Sequence, residues 1–296
     1  MRITDRMVVN RTLRNLQQGR RRLGEAQTKV ATGRRLLRPS DDPADVERAM
    51  MLASEIRTND EQLSNMGMTR DWLHATDQAV TDLNDLLENA RNLALTALND
   101  TNGQLERESI AEQVGGMLEA AISVANSQSG EYYIFSGNKL RTKPFEIDNT
   151  NTIVYNGDNQ TFEHYVEPGQ RMPVNITGTS GNNGGILNAL TSLQTLQQAI
   201  ASGNRTQIEN FVSTSDNIKA DMNAIQSVVG ARIQRVDNTS ARLQQRQVDL
   251  RQLFSQLVDV DMAETIAEMT AEDRAYELSL AAASRVLPRS LLDFLR

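Results

Sequence analysis

Apolar side chains recur at seven-residue steps through two long stretches of this sequence, residues 43–98 and 206–257. The first row is Met66, Leu73, Val80, Leu87 and Ala94, and the second is Val236, Leu243, Leu250 and Leu257. A repeat of about 3.5 residues keeps one stripe of a helix facing a partner helix. Both stretches are therefore predicted to be long helices, and the fold class is predicted to be mainly α: a long antiparallel coiled-coil-like bundle.

The composition suits slender helix packing. Hydrophobic residues make up 39% of the 296 residues but aromatic residues only 4%, which is little for a thick globular core. The chain has no cysteine, which excludes disulfides and thiolate metal sites. The apolar runs are too short to span a bilayer, so no membrane insertion is expected. The N-terminal segment has no apolar core of a Sec signal peptide, so any export would use another route.

The segment TGRRLLRPSDDPAD, residues 32–45, interrupts this helical pattern. Proline disfavours the helical conformation in the residue before it, so Pro39 is predicted to stop the first helix. Asp42 is placed as the N-cap of the next helix and Pro43 fits its first position. Together with Ser40 and Asp41, these residues are predicted to form an elbow between two helical layers.

The two ends of the chain carry weaker stripes. The N-terminal stripe is Val9, Leu16, Leu23 and Val30, and after a slip of phase around residues 258–262 the C-terminal stripe is Ile266, Met269, Tyr276, Leu280 and Leu287. Gly19 and Gly24 lower helix propensity in the first stripe, so this helix is expected to become ordered on association. Pro288 is predicted to kink or end the last helix.

The middle of the chain, about residues 130–185, is rich in β-formers. Asn156-Gly157 between two β-prone runs predicts a hairpin, and Pro168-Gly169 predicts another turn. The Gly-rich residues 178–185 follow. They lack both GxGxxG and a Lys-Ser/Thr, which favours a linker over a phosphate loop. The segment is therefore predicted to be a small β-rich inserted domain that a short linker could replace.

The charge is distributed unevenly along the chain. Residues 1–40 carry eleven basic and two acidic side chains, whereas residues 259–277 carry seven carboxylates and one arginine. Clustered arginines could neutralise nucleic-acid phosphates. There are no interleaved aromatic residues and no recognisable DNA-binding motif, so no nucleic-acid partner is expected. A solvated helix face that meets the acidic segment, or a neighbouring subunit, explains the pattern better.

The sequence offers little for catalysis. His74 and His164 are isolated from any metal-binding or triad-like motif, and the carboxylates are spread along helix faces. We therefore expect a protein that is not an enzyme, with no catalytic residue, no cofactor and no metal site.

Several segments resemble the flagellin superfamily. TGRRLLRPSDDPAD resembles the segment that ends the N-terminal helix of flagellins and their relatives. GEYYIFSGNKLRTKPF (130–145) and residues 155–178 resemble the hook-associated protein 3 family of hook–filament junction proteins, and residues 278–296 are similar to their terminal helix. The order of these segments matches over essentially the whole chain.

The resemblance implies a non-enzymatic axial protein of the flagellum, secreted by type III export without a cleaved signal peptide. It implies an inner coiled-coil domain (1–40 with 259–296), a helical shaft (41–140 with 186–258) and a β-rich outer domain (141–185). The implied partners are the protein itself in a ring layer, another junction protein on the hook side, flagellin on the filament side and an export chaperone. A flagellin-type filament subunit and an unrelated coiled-coil scaffold remain alternatives.

Overall fold

A computed structural model of the chain describes residues 5–99, 103–167, 170–181 and 184–294. Within these residues the fold is mainly helical, with short antiparallel strands near the middle. In chain order the elements are α1 (Asp5–Thr32), α2 (Pro43–Ala97), α3 (Gln104–Ala125), β1 (Gln128–Ser129), β2 (Tyr132–Tyr133), β3 (Phe145–Ile147), β4 (Ile153–Tyr155), β5 (Glu163–Glu167), β6 (Gln170–Pro173), α4 (Gly185–Ser202), α5 (Arg205–Val258) and α6 (Met262–Phe294). The predicted fold class, a long helical bundle with a small β-rich insertion, is confirmed.

The chain divides into two compact units. Unit 1 comprises Met1–Asn59 and Arg246–Arg296, and unit 2 comprises Asp60–Gln245. The long helices α2 and α5 contribute residues to both units. In unit 1, α1 packs against α6 and the first part of α2 lies beside the last part of α5. Unit 2 contains the remaining parts of α2 and α5 together with α3, α4 and all six strands.

The two long helices run antiparallel in unit 2. Arg91 of α2 forms an ion pair with Asp216 of α5, with 2.8 Å between Nη1 and Oδ1. About three turns earlier in α2, Thr81 accepts a hydrogen bond from Gln226 of α5 at 3.0 Å. Sequence positions that rise along α2 therefore meet positions that fall along α5, which confirms the predicted antiparallel arrangement.

The heptad rows face the core as predicted. Met66, Leu73, Val80 and Leu87 of α2 are all buried, and α5 contributes a matching buried row that includes Val236. Burying each such side chain stabilises the fold by about 1.5–3 kcal/mol, which is enough to outweigh the low helix propensity of valine at these positions.

The strands form three separate two-stranded antiparallel sheets: β1 with β2, β3 with β4, and β5 with β6. The predicted hairpin at Asn156-Gly157 is wrong, because β4 pairs back with β3 and the chain then continues to β5. The Tyr155 hydroxyl donates to the carbonyls of Phe135 and Asp158 at 2.8 Å, which fixes a non-hairpin path around Gly157. Pro168 and Gly169 lie outside the described residues.

The β-rich segment is part of the core of unit 2. Phe145 is fully buried, and Ile153, Met172 and Ile176 are buried in the same apolar cluster as α2, α3, α4 and α5. Trp72 of α2 also packs edge-on against Phe162, with 5.4 Å between ring centroids. These contacts argue against the expectation that a short linker could replace the segment.

Two helix ends differ from prediction. α1 ends at Thr32, seven residues before Pro39, because Gly33 adopts a left-handed conformation (φ 68°) and its N–H closes the last turn on Lys29 O at 2.8 Å. The prediction that Pro39 stops this helix is therefore wrong. α6 runs through Pro288 to Phe294, so the last helix does not end at Pro288. A proline removes one backbone donor, and the loss of that single bond does not terminate α6.

Candidate assembly surfaces

The terminal helices α1 and α6 pack side by side in antiparallel order. A Cβ placed on Gly19 would lie 3.5 Å from the Tyr276 ring, so the two helices approach closely at that point. Arg22 forms an ion pair with Glu272 (3.3 Å), and about two helical turns further along α1 Lys29 reaches Glu268 (3.8 Å). The basic N-terminal segment therefore meets the acidic C-terminal segment within one copy of the chain.

The structure brings part of the two predicted stripes together. Leu16, Leu23 and Val30 of α1 and Met269 and Tyr276 of α6 are half-buried. Ile266 and Leu280 instead remain exposed, at 44% each, because the inward face of α6 is formed by a neighbouring row of residues. The members of that row include Thr265, Met269, Tyr276 and Ala283. The side chains of Val9 and Leu287 lie outside the described residues.

The two breaks in the helical pattern, at residues 33–42 and 259–261, are joined by backbone hydrogen bonds, a connection that the sequence pattern did not predict. Arg35 N donates to Val258 O at 2.7 Å, and Val260 N donates to Gly33 O at 3.0 Å. The Arg35 side chain adds bonds from Nη2 to Leu257 O (3.0 Å) and to Asp45 Oδ2 (2.5 Å). These bonds connect the end of α1, the start of α2 and the end of α5.

The same arginine controls the charge at the start of α2. A hydrogen bond from Arg35, assisted by its positive charge and that of Arg48, holds the pKa of Asp45 below its ordinary value. Asp45 lies in the first turn of α2, where a carboxylate also complements the helix dipole. In the sequence, the one feature that points to this group of contacts is Gly33, because a glycine after a last turn that contains a lysine is a common C-cap pattern.

Two adjacent aspartates shape the elbow. Asp42 Oδ1 accepts hydrogen bonds from the N–H groups of Ala44 (3.2 Å) and Asp45 (3.1 Å), which confirms the predicted N-cap of α2. Asp41 Oδ2 accepts from the N–H groups of Leu37 (3.0 Å) and Arg38 (2.8 Å), so it closes the preceding turn. A second aspartate, Asp261, has the same role as Asp42 and directly precedes α6.

Asp261 is the N-cap of α6. Its Oδ1 accepts from the N–H groups of Ala263 (2.8 Å) and Glu264 (3.2 Å). The predicted slip of phase around residues 258–262 therefore corresponds to a helix end followed by a newly capped helix. Each end of the chain enters the bundle through an Asp-capped break.

Unit 1 buries few apolar side chains. Among the described residues, its buried apolar members are Ala26, Leu250, Val258 and Ala283, whereas the large apolar cluster lies entirely within residues 66–243. Large apolar side chains are instead exposed along unit 1, with Met50 at 68% and Met51 at 60%. Further exposed members of unit 1 are Met7, Leu13, Val248, Leu253, Met262, Ile266, Leu278 and Leu280.

Two open apolar grooves flank Met51. One, of about 500 Å³, is lined by Pro39, Pro43, Val46 and Met50. The other, of about 420 Å³, lies between α2 and α5 and is lined by Leu52 and Leu253, among others. Exposed apolar surface on this scale is typical of protein–protein contacts rather than of a free surface. The elbow and the start of α2 therefore have the exposed apolar character of a protein–protein contact surface.

The described residues contain no cluster of three or more His, Cys, Asp or Glu side chains that could hold a metal ion. His74 is exposed on α2, and His164 lies in β5 as predicted. The Thr69 hydroxyl lies 2.7 Å from His164 Nδ1 and donates to Asn65 O (2.8 Å), so Nδ1 is the donor to Thr69. Burial lowers the pKa of His164, and its contacts are those of a packing residue.

In the part of the chain that the structure describes, no helix combines the length and the apolar character needed to cross a membrane.

The N-terminal and C-terminal helical parts of the chain each match a known protein family. The model of the bacterial flagellin N-terminal helical region matches residues 3–139, and that of the C-terminal helical region matches residues 212–295. Flagellar hook-associated protein 3 of Escherichia coli (strain K12) is 22% identical, over 95% of this chain and 96% of its own. Flagellin of Bacillus subtilis (strain 168) is 23% identical over 100% of both chains.

A solved structure described as a flagellar hook-associated protein from Vibrio parahaemolyticus superposes with a TM-score of 0.68 and 18% identity, covering 74% of this chain and 100% of the other. The sequence-based resemblance is thus confirmed. Flagellin-like and hook-associated proteins are structural and not enzymes, and axial proteins of this kind assemble with themselves and with other flagellar components. The two matched regions together span about three quarters of the sequence, and the chain belongs to the bacterial flagellin family.

Proposed function

We propose that this chain is a structural axial protein of the bacterial flagellum that forms a junction layer between hook and filament. It would do so by helix–helix association with its own copies and by packing on neighbouring axial proteins. The similarity to flagellar hook-associated protein 3 along nearly the full length of both chains supports the junction assignment. The proposed localisation is extracellular, after type III export.

The observation that carries the proposal is the shortage of buried apolar surface in unit 1. Ordering a residue costs about 1–2 kcal/mol of backbone entropy, and burial of apolar area is the main term that offsets it. Unit 1 buries four apolar side chains among its described residues and exposes Met50, Met51 and Leu253. Helices of this kind gain most of their stability from neighbours, as expected of a subunit that functions in an assembly.

We assign the parts of the chain as follows. Residues 1–40 with 259–296 form the inner layer, residues 41–140 with 186–258 form the helical shaft, and residues 141–185 form the outer β-rich part. The capped breaks at Asp42 and Asp261 support boundaries near these positions. The proposed partners are a second junction protein on the hook side, flagellin on the filament side and an export chaperone.

A deletion tests the junction role. In a cell that lacks this protein, electron microscopy is expected to show hooks without filaments, with flagellin shed into the medium. Expression of the full chain from a plasmid should restore filaments. Normal filaments in the deletion strain would contradict the junction role.

A flagellin-type filament subunit is the second candidate. The match to flagellin of Bacillus subtilis over the whole of both chains favours it. The two functions differ in extent of assembly, because a filament subunit polymerises without limit whereas a junction protein stops at a layer. Electron microscopy of the purified chain after addition of filament seeds distinguishes them: long filaments built from this chain alone would support the flagellin function.

The elbow residues are proposed to set the path of the chain from inner layer to shaft. A variant with Pro39→Ala, Asp42→Ala and Pro43→Ala loses the cap, worth about 1 kcal/mol, but gains helix propensity. We expect nearly normal thermal stability and export, with filaments that detach at the hook under load. Unfolding of the monomer, with normal assembly whenever it folds, would instead make these residues a stability element of the shaft.

A further inference from the structure

An open groove runs along the face of α1 that points away from α6. Its volume is about 980 Å³, and it lies between the second half of α1 and the turn that precedes α2. Gly24 and Thr28 line it on α1, and Leu36 and Leu37 line it on the segment before α2. Apart from the backbone of α1 itself, nothing lies within 4 Å of the position that a Cβ on Gly24 would occupy, so the surface at Gly24 is open to a partner.

The rim of the groove carries cations without an internal partner. Within the described part of the chain, neither Arg20 nor Arg38 has a carboxylate within 4.0 Å. Arg21, on the same rim, makes a long contact of 3.8 Å with Glu25, and both side chains are largely exposed. By contrast Arg35, at the elbow, is fully engaged with Asp45. Glu25, Asp41 and Asp42 also line the groove, but Asp41 and Asp42 accept hydrogen bonds from backbone N–H groups, and five cations outnumber three carboxylates among the lining residues. The groove therefore carries a net positive charge.

The outward face of α6 has the complementary character. Opposite the row that contacts α1, it carries Ala267, Ala271 and Leu278, and Leu278 is 71% exposed. Asp273 and Glu277 border this face and are exposed, and among the described residues neither has a cation within 4.0 Å. A narrow helix face with one protruding leucine and two unpaired carboxylates suits an open, basic groove.

We propose that the groove of one copy receives the outward face of α6 from a second copy. This contact rests on the proposed self-association and specifies its geometry. Leu278 packs over Gly24 against Leu36 and Leu37, while Asp273 and Glu277 pair with Arg20 and Arg38. Arg274, in the middle of the α6 face, meets Glu25 on the groove side.

This contact joins two different surfaces, so it is a head-to-tail interface that continues from copy to copy. In each copy α6 covers the opposite face of α1, so α1 and α6 helices alternate along the layer. Such an interface closes into a ring if the rotation per copy allows it and otherwise continues as a helix. The groove is thus the element that converts the two-helix arrangement of one subunit into a continuous layer.

The test uses two full-length charge-swap variants. The groove variant is Arg20→Glu with Arg38→Glu, and the helix variant is Asp273→Lys with Glu277→Lys. In either variant alone, groove and α6 have like charges. We expect the affinity of self-association at low salt to be at least about tenfold lower than that of the natural chain. In a mixture every groove meets an oppositely charged α6, so association should return with the two variants alternating.

Sedimentation velocity over a concentration series measures these outcomes, with circular dichroism to verify that each variant is folded. The control is Glu112→Lys with Glu119→Lys on α3, which has the same net charge as the helix variant. Because its groove and its α6 face are those of the natural chain, this control alone should self-associate as the natural chain does, which separates the effect of position from that of net charge. Unchanged self-association of the two swap variants would overturn the proposed contact while leaving self-association intact. A natural chain that stays monomeric would overturn both.

Disulfide trapping gives an independent measurement, because the natural chain contains no cysteine. Gly24 and Leu278 lie on opposite outer faces of one copy, so the double variant Gly24→Cys with Leu278→Cys cannot close within a subunit. Oxidation of the assembled protein should give a ladder of linked copies, whereas either single variant should stop at dimers. A double variant that also stops at dimers would contradict the head-to-tail contact.

Discussion

The side chain of Asn126 is predicted to hold the β-rich segment onto the helices of unit 2. Asn126 follows the last residue of α3, and its Nδ2 donates to Ile122 O (2.9 Å) and to Phe145 O (3.0 Å). Its Oδ1 accepts from Phe145 N at 3.0 Å. One amide therefore satisfies both backbone groups of Phe145, a residue whose side chain is fully buried at the start of β3.

Asn126→Ala removes these bonds and leaves the N–H and C=O of Phe145 without them in a water-poor setting. Each buried group left unsatisfied costs about 1–3 kcal/mol, so the free energy of unfolding of unit 2 should fall by about 2–4 kcal/mol. Urea denaturation followed by the fluorescence of Trp72 is a suitable assay, because this is the only tryptophan in the chain and it belongs to the same core.

The matched control is Asn92→Ala, at an exposed position within α2. There the substitution raises helix propensity and should change stability by less than about 0.5 kcal/mol. If the free energies of unfolding of Asn126→Ala and of the control differ by less than about 0.5 kcal/mol, water replaces the amide at no cost. The argument for the bridge between α3 and β3 is then wrong.

Three further outcomes are expected. Burial lowers the pKa of His164 from its ordinary value of 6.5, so the unfolded chain binds the proton first and unit 2 should lose stability as the pH falls below 6.5; His164→Gln should flatten this dependence in denaturation curves. Replacement of residues 146–183 by a Gly/Ser linker removes Ile153, Met172 and Ile176 from the core, so circular dichroism should show a poorly folded product instead of an intact shaft. In the isolated chain, hydrogen exchange should be faster in α1 than in residues 66–94 of α2; equal protection would contradict the conclusion that unit 1 depends on neighbours.

The long helices could be predicted from the sequence because their signals are local and repeated. The seven-residue rows through Met66 and Val236 each have many members, so single unfavourable residues do not obscure them. The cap at Asp42 was equally accessible, because an aspartate followed by proline at a helix start acts within one turn. The same local rules failed at Pro39, where Gly33 had already ended the helix.

The β-rich segment shows where local signals stop. Its β character could be read from composition, but Asn156-Gly157 predicted a hairpin that the fold does not contain. Pairing of β4 with β3, and the two bonds from the Tyr155 hydroxyl, depend on partners at distant sequence positions. A dipeptide preference of a few tenths of a kcal/mol to about 1 kcal/mol is outweighed by such packing.

The sequence by itself determined the helical bundle, the positions of the heptad rows, the opposite charges of the two ends and the family resemblance. Only the tertiary structure decided which face of α6 meets α1, because Ile266 and Tyr276 both fit an apolar stripe and lie only about 80° apart around the helix. It also decided that Arg35 joins both breaks and that the β-rich segment belongs to the core. The physical reason is range: periodicity and capping act within a few turns of helix, whereas helix rotation and the pairing of distant segments are set by the sum of many contacts across the fold.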